Sequence, residues 1–78
     1  MIIVSQDKDE IINFNNVISI NIFDVWDDKP GQLIAVRDTS FNRHVIGYFK
    51  KDERAKEILR DIFDKIVDGK NIYKIPED

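Results

Sequence analysis

Only one stretch of the sequence repeats its apolar residues at helical spacing, and this restricts the chain to folds built on a single helix. Ala55, Ile58, Leu59, Ile62, Phe63, Ile66 and Val67 recur three and four residues apart, so they share one face of an α-helix. The spacing predicts a helix that opens at Asp52, which caps the first turn while Glu53 meets its positive end. Gly69 lies just past the last apolar residue, where a left-handed cap belongs. Burying the aliphatics and Phe63 of this face, at roughly 1.5–3 kcal/mol each, is the largest foreseeable contribution to stability.

The rest of the chain reads as strands. Met1 to Ser5 and Ile11 to Phe14 are short apolar runs, with Asn15-Asn16 as a hairpin corner. Val17 to Trp26 first alternates, with Ile18, Ile20 and Ile22 on one side and Ser19 and Asn21 on the other. Phe23, Val25 and Trp26 then break the period around Asp24 and predict a bulge or an end where the strand leaves the sheet. Pro30-Gly31 predicts a type II turn. Leu33 to Arg37 and His44 to Phe49 are two further strands across a polar connection, and Ile72 to Ile75 is a last one, stopped by Pro76.

The expected fold is therefore α+β: a curved antiparallel meander of about five strands packed on one long C-terminal amphipathic helix, with a short final strand at a sheet edge. With 78 residues and no linker, repeat or low-complexity run, the expectation is a single domain over 1–78. A lone helix covers only one face of a sheet, yet the strands at 33–36 and 45–49 carry apolar groups on both. Curvature, the terminal strands, self-association or a protein partner must cover the second face.

Composition closes most catalytic routes. The chain has no cysteine, hence no disulfide, thiolate ligand or thiol nucleophile, which suits a reducing cytoplasm. His44 is the single histidine, so a nucleophile triad and a two-histidine metal site are both ruled out. Beside Arg43 at the start of a strand, it reads as a surface or edge residue. Asp24, Asp27 and Asp28 cluster before the turn but lack the glycine and downstream glutamate of a calcium loop, so they read as solvated acids. Gly31, Gly47 and Gly69 are each explained locally, leaving no phosphate loop. No metal or cofactor is expected.

Fifteen acidic against twelve basic residues give a net charge of −3, which disfavours nucleic acid as a partner. No apolar run approaches the ~18 residues of a membrane span, and the opening Met1-Ile2-Ile3-Val4 lacks the basic start of a signal peptide. Two candidate sites remain. Lys50, Lys51 and Arg54 surround the start of the helix, where an anion is favoured but Asp52 and Glu53 compete for the same place. Trp26 and Phe41 are aromatics beside polar turns and are the candidate partner anchors.

The segments Met1-Ile2-Ile3-Val4-Ser5-Gln6-Asp7-Lys8, Ile11-Ile12-Asn13-Phe14, Ile46-Gly47-Tyr48, Glu53-Arg54-Ala55-Lys56-Glu57-Ile58-Leu59 and Tyr73-Lys74-Ile75-Pro76-Glu77 together resemble a group of short uncharacterised proteins. These are encoded by phages and prophages of Gram-positive bacteria. The likeness spans nearly the whole chain and departs from the group at Asp27 to Gly31 and Thr39 to Arg43, where the connections are longer. The resemblance implies a small phage-encoded accessory protein acting in the host cytoplasm, and it transfers no functional residue. The expected function is a non-catalytic interaction module that self-associates or docks on a host or phage protein. The alternative is an oligomeric binder that sequesters a nucleotide or similar anion.

Overall fold

The computed structural model describes residues 1–25 and 30–78. Trp26, Asp27 and Asp28, named above as an anchor and as part of an acidic cluster, lie outside the described residues. In chain order the elements are β1 (Ile2–Val4), β2 (Ile11–Asn13), a 3₁₀ turn (Phe14–Asn16), β3 (Val17–Asp24), β4 (Gln32–Asp38), β5 (Arg43–Phe49), α1 (Asp52–Val67) and β6 (Ile72–Lys74). The class is α+β as the sequence predicts, but the strands do not form one five-stranded meander. They form two three-stranded sheets, β3-β4-β5 and β2-β1-β6.

The reason lies at Asn13. Its side-chain Oδ1 accepts the Asn15 N–H at 3.0 Å, which winds the chain into the 3₁₀ turn. Asn15-Asn16 is thus not a hairpin corner, and β3 starts in a different sheet from β2. β1 is left to pair antiparallel with β2 and parallel with β6, whose register sets Ile3 opposite Tyr73. β6 does reach a sheet edge, as expected, but the edge belongs to the small sheet. β3 ends at Asp24, the strand end that the broken period allows for, and its one irregularity in the meander falls between Val17 and Ser19. The slip turns Ile18 to solvent and keeps Ile20 and Ile22 on the inner face, opposite Val36 and Ile34.

A single core lies where the two sheets and the helix meet. Ile3, Ile12 and Tyr73 enter it from the small sheet, Ile34, Val36, Ile46 and Phe49 from the meander, and Ala55, Ile58 and Ile62 from α1. The helix begins with Lys51 as the extended N-cap residue, so Asp52 is its first helical residue and not its cap. Gly69, two residues past its last helical residue Val67, has φ +70°, the left-handed conformation the sequence predicts there. The apolar face is wider than the contact: Phe63, Ile66 and Val67 remain exposed. Among the described residues no helix is long and apolar enough to cross a membrane.

Candidate functional site: the outer face of the meander

Alternation along the three long strands decides what the second face presents. Residues paired across an antiparallel ladder point to the same side, so Leu33 shares the outer face with Phe23 and Tyr48, and Ala35 shares it with Asn21 and Val45. The helix packs on the inner face, which holds Ile34 and Val36. The outer face is a shallow depression lined by Phe23, Leu33, Ala35, Val45 and Arg43, with Asp24 and Val25 at its far end. The two-faced apolarity read from the sequence is present, and among the described residues no helix or strand is laid over it.

One side chain roofs the depression in part. Arg43 starts on β5, yet its guanidinium carbon lies 4.3 Å from the centroid of the Phe23 ring on β3. The side chain therefore crosses β4 and covers Ala35, which is only 2% exposed although no element packs over it. Such a cation over an aromatic face is worth about 0.5–1 kcal/mol at an exposed site. Val45 beside it stays 50% exposed. Tyr48 closes one end: its ring lies against Gly31, whose φ is +124°, and its hydroxyl donates to the Pro30 carbonyl at 3.0 Å.

The flank along β5 is built by the segment that follows β1. The Gln6 N–H donates to the Ile46 carbonyl at 2.8 Å, and its side-chain amide then takes the place of a neighbouring strand. Gln6 Oε1 accepts the Tyr48 N–H at 2.8 Å, and Nε2 donates to the carbonyls of Tyr48 and Pro76 at 2.9 and 3.1 Å. His44 ties the same regions from the side. Its Nδ1 lies 2.6 Å from Glu10 Oε2 and its Nε2 lies 2.8 Å from Asp38 Oδ2. A carboxylate at each nitrogen favours the doubly protonated ring. Its pKa is raised, first by the bond to Asp38 and then by that to Glu10. Both ring nitrogens are thus engaged by carboxylates.

The three cations read as an anion site are not gathered. Lys50 sits in a groove with Gln6 and Tyr48, and its backbone N–H is bonded to Asp78 Oδ2 at 2.9 Å. Arg54 lines a different groove beside Asp61 and Tyr73, and its Nη1 reaches Glu57 Oε2 at 3.1 Å. Lys51, the N-cap residue, lines neither groove. In the second groove the Tyr73 hydroxyl donates to Asp61 Oδ2 at 2.7 Å. Burial and this bond push the phenol pKa well up, and the same bond lowers that of Asp61.

Phe41 stands at the tip of the β4–β5 hairpin, 71% exposed and at φ +66°. Asp38 Oδ1 accepts the N–H groups of Ser40 and Asn42 and holds the tip in that shape. Asp24 is hydrogen-bonded to the Gln32 side chain. Among the described residues no group of three or more acidic or histidine side chains is placed to hold a metal ion.

The sequence reading missed a second apolar surface and the arginine roof. Ile2, Val4, Ile11 and Ile72 share the outer face of the small sheet. The apolar alternation of β4 and β5 signalled the meander's outer face, but the reach of Arg43 across two strands leaves no trace in spacing. Comparison with protein-family models, with curated proteins and with solved structures gives no match.

Proposed function

We propose that the protein is a non-catalytic interaction module, a phage or prophage accessory protein of the host cytoplasm, whose outer meander face binds another protein. The single observation behind this reading is the apolar depression of Phe23, Leu33, Ala35 and Val45, roofed by one arginine rather than by a helix or a sheet. Interface hot spots favour aromatic residues and arginine around a small apolar centre, and this face offers Phe23, Tyr48 and Arg43. The small sheet's outer face is plain aliphatic by comparison, with Asn13 and Lys74 at its corners.

Charge indicates the chemistry of the partner. Arg37 and Arg43 face each other across the ladder at the hairpin end of this face, in a chain that is acidic overall. A partner segment that sets an apolar side chain against the exposed Val45 and a carboxylate against Arg43 satisfies both features. Phe41 extends the same end of the molecule.

The test places a photoreactive phenylalanine analogue at Val45 in producing cells. The expected result is an adduct with one discrete acidic partner, lost in Arg43→Glu and absent when the analogue replaces Lys56 on the solvent side of α1. Adducts that are indifferent to Arg43→Glu, or equal from the two positions, overturn the proposal.

A further inference from the structure

The two edges of the meander are treated differently by the rest of the chain. The β5 edge is closed, since the Gln6 N–H bonds to Ile46 and the Gln6 amide bonds to both backbone groups of Tyr48. The β3 edge is open: β4 lies along one side of it, and among the described residues no backbone hydrogen bond reaches its other side. Among the described residues it is also the longest strand, eight residues from Val17 to Asp24. It contains no lysine, arginine or proline of the kind that usually blunts such an edge, and its one charged residue, Asp24, stands at its end. Its one irregularity is at Ile18, leaving a regular run from Ser19 to Asp24.

Which backbone groups face outward follows from the turn. The Val25 N–H donates to the Gly31 carbonyl. By the alternation of an antiparallel ladder, Phe23, Asn21 and Ser19 then also turn their backbone groups to β4, while Ile20, Ile22 and Asp24 present theirs to the open side. The side chains of Ile20 and Ile22 lie on the inner face against the core but are only half-buried. The edge is thus short of both hydrogen-bond partners and apolar cover.

We infer that β3 pairs with β3 of a second copy, antiparallel about a twofold axis at Asn21, to make one six-stranded sheet. In this register the outward N–H and C=O of Ile20 meet those of Ile22 of the second copy, and the reverse pair repeats the contact. The four isoleucines then cover one another on the inner face, and the two Asn21 side chains meet on the outer face. Moving the axis one residue to Ile22 sets Asp24 opposite Ile20, and moving it one residue to Ile20 sets Ile22 opposite the irregular Ile18. The axis at Asn21 therefore fits the strand best. This pairing goes beyond the reading above, because it uses the edge and leaves both outer faces free, side by side on one surface.

The absence of native cysteine makes a direct test possible. In the inferred register the two Asn21 residues form a non-hydrogen-bonded pair with Cα atoms about 4.5 Å apart, within disulfide range. Oxidised Asn21→Cys is expected to become a covalent dimer, while Val45→Cys and Lys56→Cys treated alike stay largely monomeric. Sedimentation equilibrium of the unmodified protein is expected to show a dimer. Asn21→Lys, at an exposed position that leaves the monomer fold intact, is expected to weaken it by roughly tenfold or more as two ammonium groups meet at the axis. A monomer at every concentration, a dimer unchanged by Asn21→Lys, or cross-linking no greater at 21 than at 45 and 56 overturns the inference. None of these results bears on an Arg43-dependent adduct from Val45, so the two readings fail separately.

Discussion

Phe41 has a backbone that a phenylalanine does not favour. For an L-residue the left-handed conformation costs roughly 1–2 kcal/mol, and glycine or asparagine would relieve most of it. At 71% exposure the ring recovers little by packing. Phe41→Asn is therefore expected to leave stability unchanged or to raise it by up to about 1 kcal/mol in urea unfolding, and a clear loss would show that the ring is packed after all. Gly31 is the opposite case. At φ +124° a Cβ would stand 2.6 Å from the Tyr48 ring, so Gly31→Ala is expected to cost about 1–3 kcal/mol. Part of that cost should vanish in a Tyr48→Ala background, and strictly additive losses would show that the contact is not its cause. Pro30-Gly31 marked this corner in the sequence. Tyr48, seventeen residues further on, carried no mark, because the ring reaches Gly31 only through the pairing of β4 with β5.

The helix separates two adjacent residues that the periodicity treats alike. Ile62 is 1% exposed and Phe63 is 62% exposed. Ile62→Asp is expected to destabilise by about 3–5 kcal/mol, since the carboxylate has no partner in the core. Phe63→Asp is expected to change stability by less than about 1 kcal/mol, and equal losses in thermal melts would mean that the helix docks on a broader face. The period located the helix and its glycine cap because a 3.6-residue repeat over four turns admits one geometry. It did not narrow the face to Ala55, Ile58 and Ile62, since the extent of contact depends on the width of the sheet beneath. The long strands were legible for a similar reason: Leu33 to Arg37 and His44 to Phe49 lie within β4 and β5. The three-residue strands β1, β2 and β6 are too short to carry a period, and their pairing brings together residues near opposite ends of the chain. That is why one meander was expected where two sheets exist.

The molecule as a whole depends on how those two sheets are joined, and much of the polar join is made by Gln6 and His44. Glu10 precedes β2 in the small sheet, whereas Asp38 ends β4, so the His44 ring on β5 links both sheets through two charged bonds. The raised pKa of His44 means that the folded state holds its proton more tightly than the unfolded chain does. The contribution to stability is then fully present below the unfolded value of about 6.5 and is lost as pH rises through the higher folded value. Asp38, lowered first by its bond to His44, has the opposite sign: its contribution is present above the unfolded carboxylate value of about 3.9 and is lost as pH falls through the lower folded one. Both contributions coexist at mildly acidic pH, around pH 5–6. His44→Gln retains a hydrogen-bonding side chain but cannot titrate. In urea unfolding the wild type is therefore expected to exceed this variant most around pH 5–6 and to lose its advantage as pH rises past the folded value of His44. A difference that stays constant across that range would mean that the ring acts only as a neutral spacer between Glu10 and Asp38, and that the two sheets are joined without the charge.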